Sequence, residues 1–453
     1  MKKLKNNQKM TIVNANAAGI DVGSKSHFVA IGQRAEDVRE FHCYTSNLKE
    51  LCLWLKEKGI TTVALESTGN YWQALFVLLQ DFGLNPIMVN GKFTKNVKGR
   101  KTDVQDCQWI QKLHTLGLLE GSFIPDLFTE KLRQYCRHRQ TLLENAADYI
   151  KKMQKALRLS NIRLDVAIRD IVGQSGRAII EAIIAGETDP RKLASLAHWR
   201  VSKSEDEIAE ALIGDWRHEY VFELKQSYDL YKYLHAKISE CDKEIENILN
   251  QRVEEMEKID GEQRAEYTGK VRRLKKNDPD FNLQELTFQM SGAVDLGAIE
   301  GVGRSTIMTI LSETGIDMGV FPTAKHFASW LHLSPNNKIS GGKIISSRTF
   351  KAKNRLADAL RHAANAIGNM VKPSALHQFF KRIEYRKSRI DAITATARKL
   401  AVIIWNMLTN KQPYQPLVQH EYLIKVRNNQ VKNLQRKIRQ LNVKPEELSF
   451  VTS

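Results

Sequence analysis

Cysteine is scarce in this 453-residue sequence, and its five copies, Cys43, Cys52, Cys107, Cys136 and Cys241, form no CxxC or Cys/His pattern. That argues against a structural zinc site and suits a reducing cytoplasm. Long apolar runs are missing as well. The longest, LAVIIW near Leu400, falls far short of the roughly 20 residues that cross a bilayer, so no membrane partner is expected. Lys2, Lys3, Lys5 and Lys9 lead the chain without an apolar h-region behind them, which argues against a signal peptide. Acidic residues are in deficit: 51 Asp and Glu against 69 Lys and Arg leave a formal charge of +18. A polyanionic partner follows, although ribosomal and chromatin proteins share this balance. With 42% hydrophobic and 26% charged residues, the chain is globular and long enough for two or three domains.

From Ala18 to Leu119 the pattern alternates between strand and helix periods. The strand candidates AGIDVG, HFVAIG and EFHCYT are followed by a helix over Asn47–Lys58. Next come the strand TTVALEST, a helix over Tyr71–Phe82 closed by Gly83, the strand NPIMVN, a basic loop over Gly91–Lys101, and a helix from Asp103. Three strands joined by short turns read as an antiparallel meander, and the later alternation reads as parallel crossovers. That order is the order of a ribonuclease H-like α/β domain. Asp21 then lies on the first, central strand and Glu66 at the end of the fourth.

Glycine and proline are nearly absent from Leu132–Asn161 and Trp216–Lys258, which read as long helices. Leu234, Ile238, Cys241, Ile245 and Ile248 step by four, three, four and three residues, the heptad pattern of a coiled-coil seam. An antiparallel arm, a dimerisation helix and an ordinary amphipathic core helix all fit. Residues 165–215 read as a small helical subdomain with no assignable task. The lysine-rich segment Gly261–Asp280 is the linker candidate.

Chemistry concentrates in two places. Asp103 and Asp106, in GRKTDVQD, differ by about 60° on a helix and share one face. Acidic residues in a first turn are common, since Thr102 can cap the helix and its dipole favours them. The company of Asp21 and Glu66, each closing an apolar run, raises the pair to a candidate metal site: hard divalent cations take oxygen ligands, and two of them can flank one phosphate. GIDVGSKSHFVA also fits the phosphate turn of an actin-like ATPase, but no second glycine-rich copy follows.

The second place begins at AIEGVGRSTIMTILSETG, where Gly301-Val302-Gly303 between helices resembles a helix-hairpin-helix element or a plain turn. From Phe321 to Arg361 there are eight Lys/Arg residues against one acid, Asp358. Lys338, Lys343, Arg348, Lys351, Lys353 and Arg355 are the candidate nucleic-acid contacts. Ser340 precedes two glycines in a predicted loop in this basic field. It is a candidate nucleophile, with Ser346 and Ser347 as competitors and no general base at a diagnostic spacing.

GIDVGSKSHFVA, ALESTGNYW and GRKTDVQDCQWI resemble the Asp, Glu and paired-Asp blocks of the DEDD transposases of bacterial insertion sequences. IEGVGRSTIMTILSETG, FPTAKHFASWLHLSP and KISGGKIISSRTFKAKNRLADALRHA resemble that family's C-terminal transposase domain. The resemblance implies a RuvC-like domain in which Asp21, Glu66, Asp103 and Asp106 bind metal, two Mg2+ ions or Mn2+ in their place. It implies Ser340 as the nucleophile of a phosphoserine intermediate. It also implies a bridge RNA that guides donor and target DNA, a site shared between subunits of a homo-oligomer built as a dimer of dimers, and a nucleoid-associated bacterial protein. Cys107 in place of alanine, Glu300 in place of proline and the run GGKIISS depart from the family pattern without removing a catalytic group.

The expected organisation is a RuvC-like catalytic domain over 15–125, a helical and coiled-coil region over 130–285, a mainly helical transposase domain over 286–410 and a basic helical tail over 411–453. In the tail, Lys425, Arg427, Lys432, Arg436, Lys437 and Arg439 interleave with Val431, Leu434, Ile438 and Leu441. The expected function is excision and insertion of a mobile element. The alternatives are a Holliday-junction-resolvase-like nuclease that needs no serine, and an inactive nucleic-acid-binding scaffold.

Overall fold

Five short apolar runs become the strands of one mixed sheet: β1 Ala17–Val22, β2 Ser26–Ala30, β3 Val38–His42, β4 Thr62–Glu66 and β5 Asn85–Val89. A computed structural model describes residues 11–66, 69–91, 102–261, 265–269, 273–350, 353–372, 374–416 and 419–440. The chain divides into two compact units between Ile124 and Pro125.

In the first unit the sheet order is β3-β2-β1-β4-β5. β1, β2 and β3 pair antiparallel, and β1, β4 and β5 pair parallel. The predicted meander and crossovers are therefore what forms. Period-two alternation sends Ala18, Ile20 and Val22 of β1, with Val63 and Leu65 of β4, to one face. There they bury against Leu48, Leu51, Cys52 and Leu55 of α1 (Thr45–Glu57) and Leu75, Phe76 and Leu79 of α2 (Trp72–Asp81). Each fully buried leucine is worth roughly 1.5–3 kcal/mol relative to exposure. The other face carries Ala17, Gly19 and Asp21 and is covered by α3 (Asp103–Thr115), with Ile110 packed on Ala64 and Val89. The basic loop expected over Gly91–Lys101 lies, from residue 92 on, outside the described residues.

The second unit is built on two long helices, α4 (Leu127–Leu159) and a later one, His218–Asp260. They run antiparallel. Near one end Arg252 lies over Phe128, in the middle Arg139 pairs with Asp242 and Leu142 packs on Ile238 and Cys241, and near the other end Met153 and Leu157 share a core with Leu224 and Tyr228. Of the heptad-spaced seam, Ile238, Cys241, Ile245 and Ile248 are buried within the chain, Ile245 completely, and Leu234 is half-buried. Residues 160–215, including α5 (Gln174–Ile184), close the far end of this pair: Ile162, Leu164, Ile179, Ile180, Ile183, Leu193 and Leu212 join that core. With His218–Asp260 as α6, the helices that follow it among the described residues are α7 (Leu283–Met290), α8 (Arg304–Thr314), α9 (Ala324–Trp330), α10 (Arg355–Gly368), α11 (Ala375–Arg386), α12 (Arg389–Asn410) and α13 (Gln419–Gln440). Arg133 donates to the Ser312 and Glu313 carbonyls, and Arg137 makes a two-pronged contact to the Glu313 carboxylate, tying α8 to α4.

The Gly301-Val302-Gly303 segment is a packed turn. Gly301 has φ +77°, and a Cβ there would stand 2.6 Å from the Ala363 carbonyl oxygen, while Val302 is fully buried and Gly303 is the N-cap of α8. Among the described residues no helix is long and apolar enough to cross a membrane.

Candidate active site

Asp21 and Glu66 are direct partners in the parallel pairing of β1 with β4. Partnered residues on neighbouring strands project from the same face, about 4.8 Å apart along the hydrogen-bonding direction. Both carboxylates therefore stand at the C-terminal edge of the sheet, on the face that α3 covers. Both residues are half-buried. The Glu66 carboxylate lies against Gly91, where an added Cβ would come 2.3 Å from Oε1.

The direction of α3 follows from its contacts. The carbonyl of His114 accepts from Asn14 Nδ2 at 2.7 Å, Gln111 Nε2 donates to the Ala17 carbonyl at 3.2 Å, and the Cys107 carbonyl sits over Gly19. Moving back along α3 thus means moving forward along β1. Its first turn, with Asp103 and Asp106, reaches the edge where Asp21 and Glu66 stand. Thr102 caps that turn by accepting from the Gln105 N–H at 3.3 Å. Burial pushes the Cys107 thiol up to about 12, and the carboxylates of Asp21 and Asp106 add to that shift. One thiol thus feels both acids. Asp106 is half-buried, whereas Asp103 is exposed.

Gly19 makes this approach feasible. A Cβ there would lie 2.2 Å from the Gln111 amide nitrogen and 2.6 Å from the Cys107 carbonyl oxygen, so the helix rides on bare backbone. Sequence reasoning passed over this glycine; its only trace is the small residues Ala17 and Gly19 alternating with larger ones. At the other end of α3, Thr62 Oγ1 donates to the Asn85 carbonyl at 3.0 Å and lies 2.9 Å from His114 Nε2. Since the hydroxyl proton is used, Nε2 must be the protonated nitrogen.

Asp21, Glu66 and Asp106 bring carboxylate oxygens to this edge, the donor type a hard divalent cation prefers. Among the described residues no three His, Cys, Asp or Glu side chains approach closely enough to hold a metal ion. The structure gathers Asp21, Glu66 and Asp106 at one edge without bringing them to coordination distance. Residues 67–68 and 92–101, which adjoin Glu66 and lead into α3, fall outside the described residues.

Ser340 belongs to the second unit and ends β6 (Lys338–Ser340), which pairs antiparallel with β7 (Lys343–Ser346). The predicted loop is a two-residue hairpin. Gly341 and Gly342 take φ +54° and +74°, as a type I′ turn requires, and the pairing sets Ser340 opposite Lys343. Ser340 is exposed. Lys338, Lys343, Arg348, Lys353 and Arg355 are also exposed, whereas Lys351 lies outside the described residues.

Residues 18–162 match the profile of a DEDD transposase family, described as "Transposase", and residues 295–381 match that of the "Transposase IS116/IS110/IS902 family". The chain belongs to this transposase family. The fold implied for the N-terminal part of a family member is ribonuclease H-like, in keeping with the mixed five-stranded sheet. The curated proteins include a similar one from Pseudomonas aeruginosa, a "Probable family 20 transposase", 27% identical over 122 residues. That match covers 26% of this family member and 36% of the relative, so the chain spans about a third of the length of that protein.

Proposed function

We propose that this chain is the transposase of a mobile element, cutting and rejoining DNA through a metal-bound acidic site and a serine nucleophile. The observation that carries this reading is the shared edge: Asp21 and Glu66 in register, with the first turn of α3 delivering Asp106 beside them. Asp21, Glu66, Asp103 and Asp106 would hold the divalent cation, Mg2+ or Mn2+, which when bound would polarise the scissile phosphate and stabilise the departing 3′ oxygen. Ser340 Oγ forms the new bond to phosphorus, the bond to the 3′ oxygen breaks, and the hydroxyl proton ends on that 3′ oxygen. Lys338, Lys343, Arg348, Lys351, Lys353 and Arg355 take the phosphates on either side.

In this reading the first unit is RuvC-like, the α4–α6 pair is a coiled-coil arm, and a bridge RNA pairs with donor and target DNA. The working assembly is a homo-oligomer, a dimer of dimers. The net charge of +18 supports two polyanionic partners.

A resolvase-like nuclease using water is the second reading. It is favoured by the hairpin position of Ser340, where no histidine or carboxylate is its strand partner. The test compares magnesium-dependent cleavage of element-end DNA, with the proposed bridge RNA present, by wild type, Asp21→Asn and Ser340→Ala. The proposal expects both variants to stay folded and to lose cleavage. Full cleavage by Ser340→Ala selects the nuclease, and full cleavage by Asp21→Asn removes the acidic site from the mechanism.

A further inference from the structure

The serine hairpin carries apolar side chains that no described residue covers. Ile339, Ile344 and Ile345 are 63%, 61% and 70% exposed. β-branched residues favour strands because they pack on a half-buried pleated surface, and an isolated two-stranded hairpin is marginal in water. Ile339 and Ile344 are cross-strand partners and share one face, while Ser340 and Lys343 are the next pair toward the tip, on the other. A register shift at Lys338/Ile339 leaves Ile345 as the extra residue of a bulge. The root is held: the rings of His332 and Phe350 lie 5.8 Å apart, and the Asn336 N–H donates to the Arg348 carbonyl at 3.1 Å. An anchored ribbon thus presents its apolar residues to solvent.

Charge selects what covers them. Between His332 and Ala357 the sequence holds no Asp or Glu, and Lys338 and Lys343 flank the isoleucines directly. Cations beside an apolar wedge suit duplex DNA, where phosphates line a groove and the base stack lies between them. Two-stranded ribbons fit DNA grooves, and aliphatic side chains pressed between base steps unstack them. We infer that the β6–β7 ribbon is a DNA-deforming wedge: its lysines hold phosphates on the groove walls while Ile339, Ile344 and Ile345 unstack a base step beside the phosphodiester that Ser340 attacks. The inference rests on the proposal that Ser340 acts on DNA.

The test uses the full chain with magnesium, the proposed bridge RNA and duplexes carrying the element end, with 2-aminopurine placed at successive steps across the junction. Anisotropy reports binding, and 2-aminopurine fluorescence reports unstacking. Ile344→Thr/Ile345→Thr keeps β-branching and strand preference while removing apolar surface. Wild type and Ser340→Ala are expected to bind and to raise fluorescence at one step. The double threonine variant is expected to bind with the same salt dependence and to lose the rise. A full rise in the double variant, or bound wild type with none, overturns the wedge. So does a changed sedimentation behaviour with unstacking intact, which would make this face a contact between copies. A covalent wild-type adduct forming on DNA without a fluorescence rise overturns the wedge and leaves the proposed function standing; no duplex binding by wild type overturns both.

Discussion

Replacing Gly19 with alanine should lift α3 from the sheet. The new Cβ would stand 2.2 Å from the Gln111 nitrogen, 2.6 Å from the Cys107 oxygen and 2.7 Å from the Gln111 Cα, whereas ordinary contact begins at 3.4 Å. The helix must retreat by about 1 Å, because the atoms met are rigid backbone in a close-packed interior. Overpacking costs typically about 1–3 kcal/mol, and backbone against backbone belongs at the upper end. For a unit of this size about 3 kcal/mol corresponds to a fall of roughly 10 °C in Tm. The same retreat carries Asp103 and Asp106 away from Asp21 and Glu66, and a 1 Å misplacement can cost on the order of 100-fold in rate. Gly83→Ala is the control in the same unit: it meets nothing within 4 Å but sits at φ +74°. It should cost about 1 kcal/mol through backbone strain and leave the rate unchanged. Thermal unfolding and a magnesium-dependent cleavage assay on both variants decide the matter. Wild-type melting and wild-type cleavage in Gly19→Ala would refute the packing argument.

Asp242→Ala should destabilise the helix pair by about 3–5 kcal/mol in urea unfolding, because it strands the buried Arg139 charge, whereas Arg139→Met/Asp242→Leu together should come close to wild type. Burial holds both His27 and His114 below the usual histidine value. The unfolded chain therefore takes up protons that the native state refuses: stability is full above about pH 6.5 and falls as pH drops below it toward the lowered folded values. Urea midpoints at pH 7.5 and 5.5 should show that loss, and His27→Gln/His114→Gln should shrink it. Lys343→Ala should weaken DNA binding across sequences and reduce the slope of log affinity against log salt by about one, as measured by anisotropy titration.

The sheet could be read from the chain because each strand is a short apolar run bounded by turn residues, and because meander followed by crossover admits few topologies. The four acids stood out for a related reason: Asp21 and Glu66 close apolar strands, and Asp103 and Asp106 open a helix. What the sequence did not disclose are contacts made across long separations. Nothing near residue 139 announces Asp242, 103 positions away, and nothing in Gly19 announces the backbone of Gln111. Residues 160–215 resisted interpretation because their helices are short and bury their faces against the ends of α4 and α6, so no single stretch carries a full periodic pattern. The Ser340 loop is different. Gly341-Gly342 between Ile339 and Ile344 is itself a hairpin signal, set within a run of basic residues.

The central claim is that the acids and Ser340 act together on DNA. Full-length protein, magnesium, the proposed bridge RNA and labelled donor and target DNA should yield a denaturation-resistant protein–DNA adduct whose peptide maps to Ser340. That adduct should be absent from Ser340→Ala and from Asp21→Asn, and absent without RNA. Metal-dependent cleavage at equal rates in wild type and Ser340→Ala, with no adduct in either, would contradict the account.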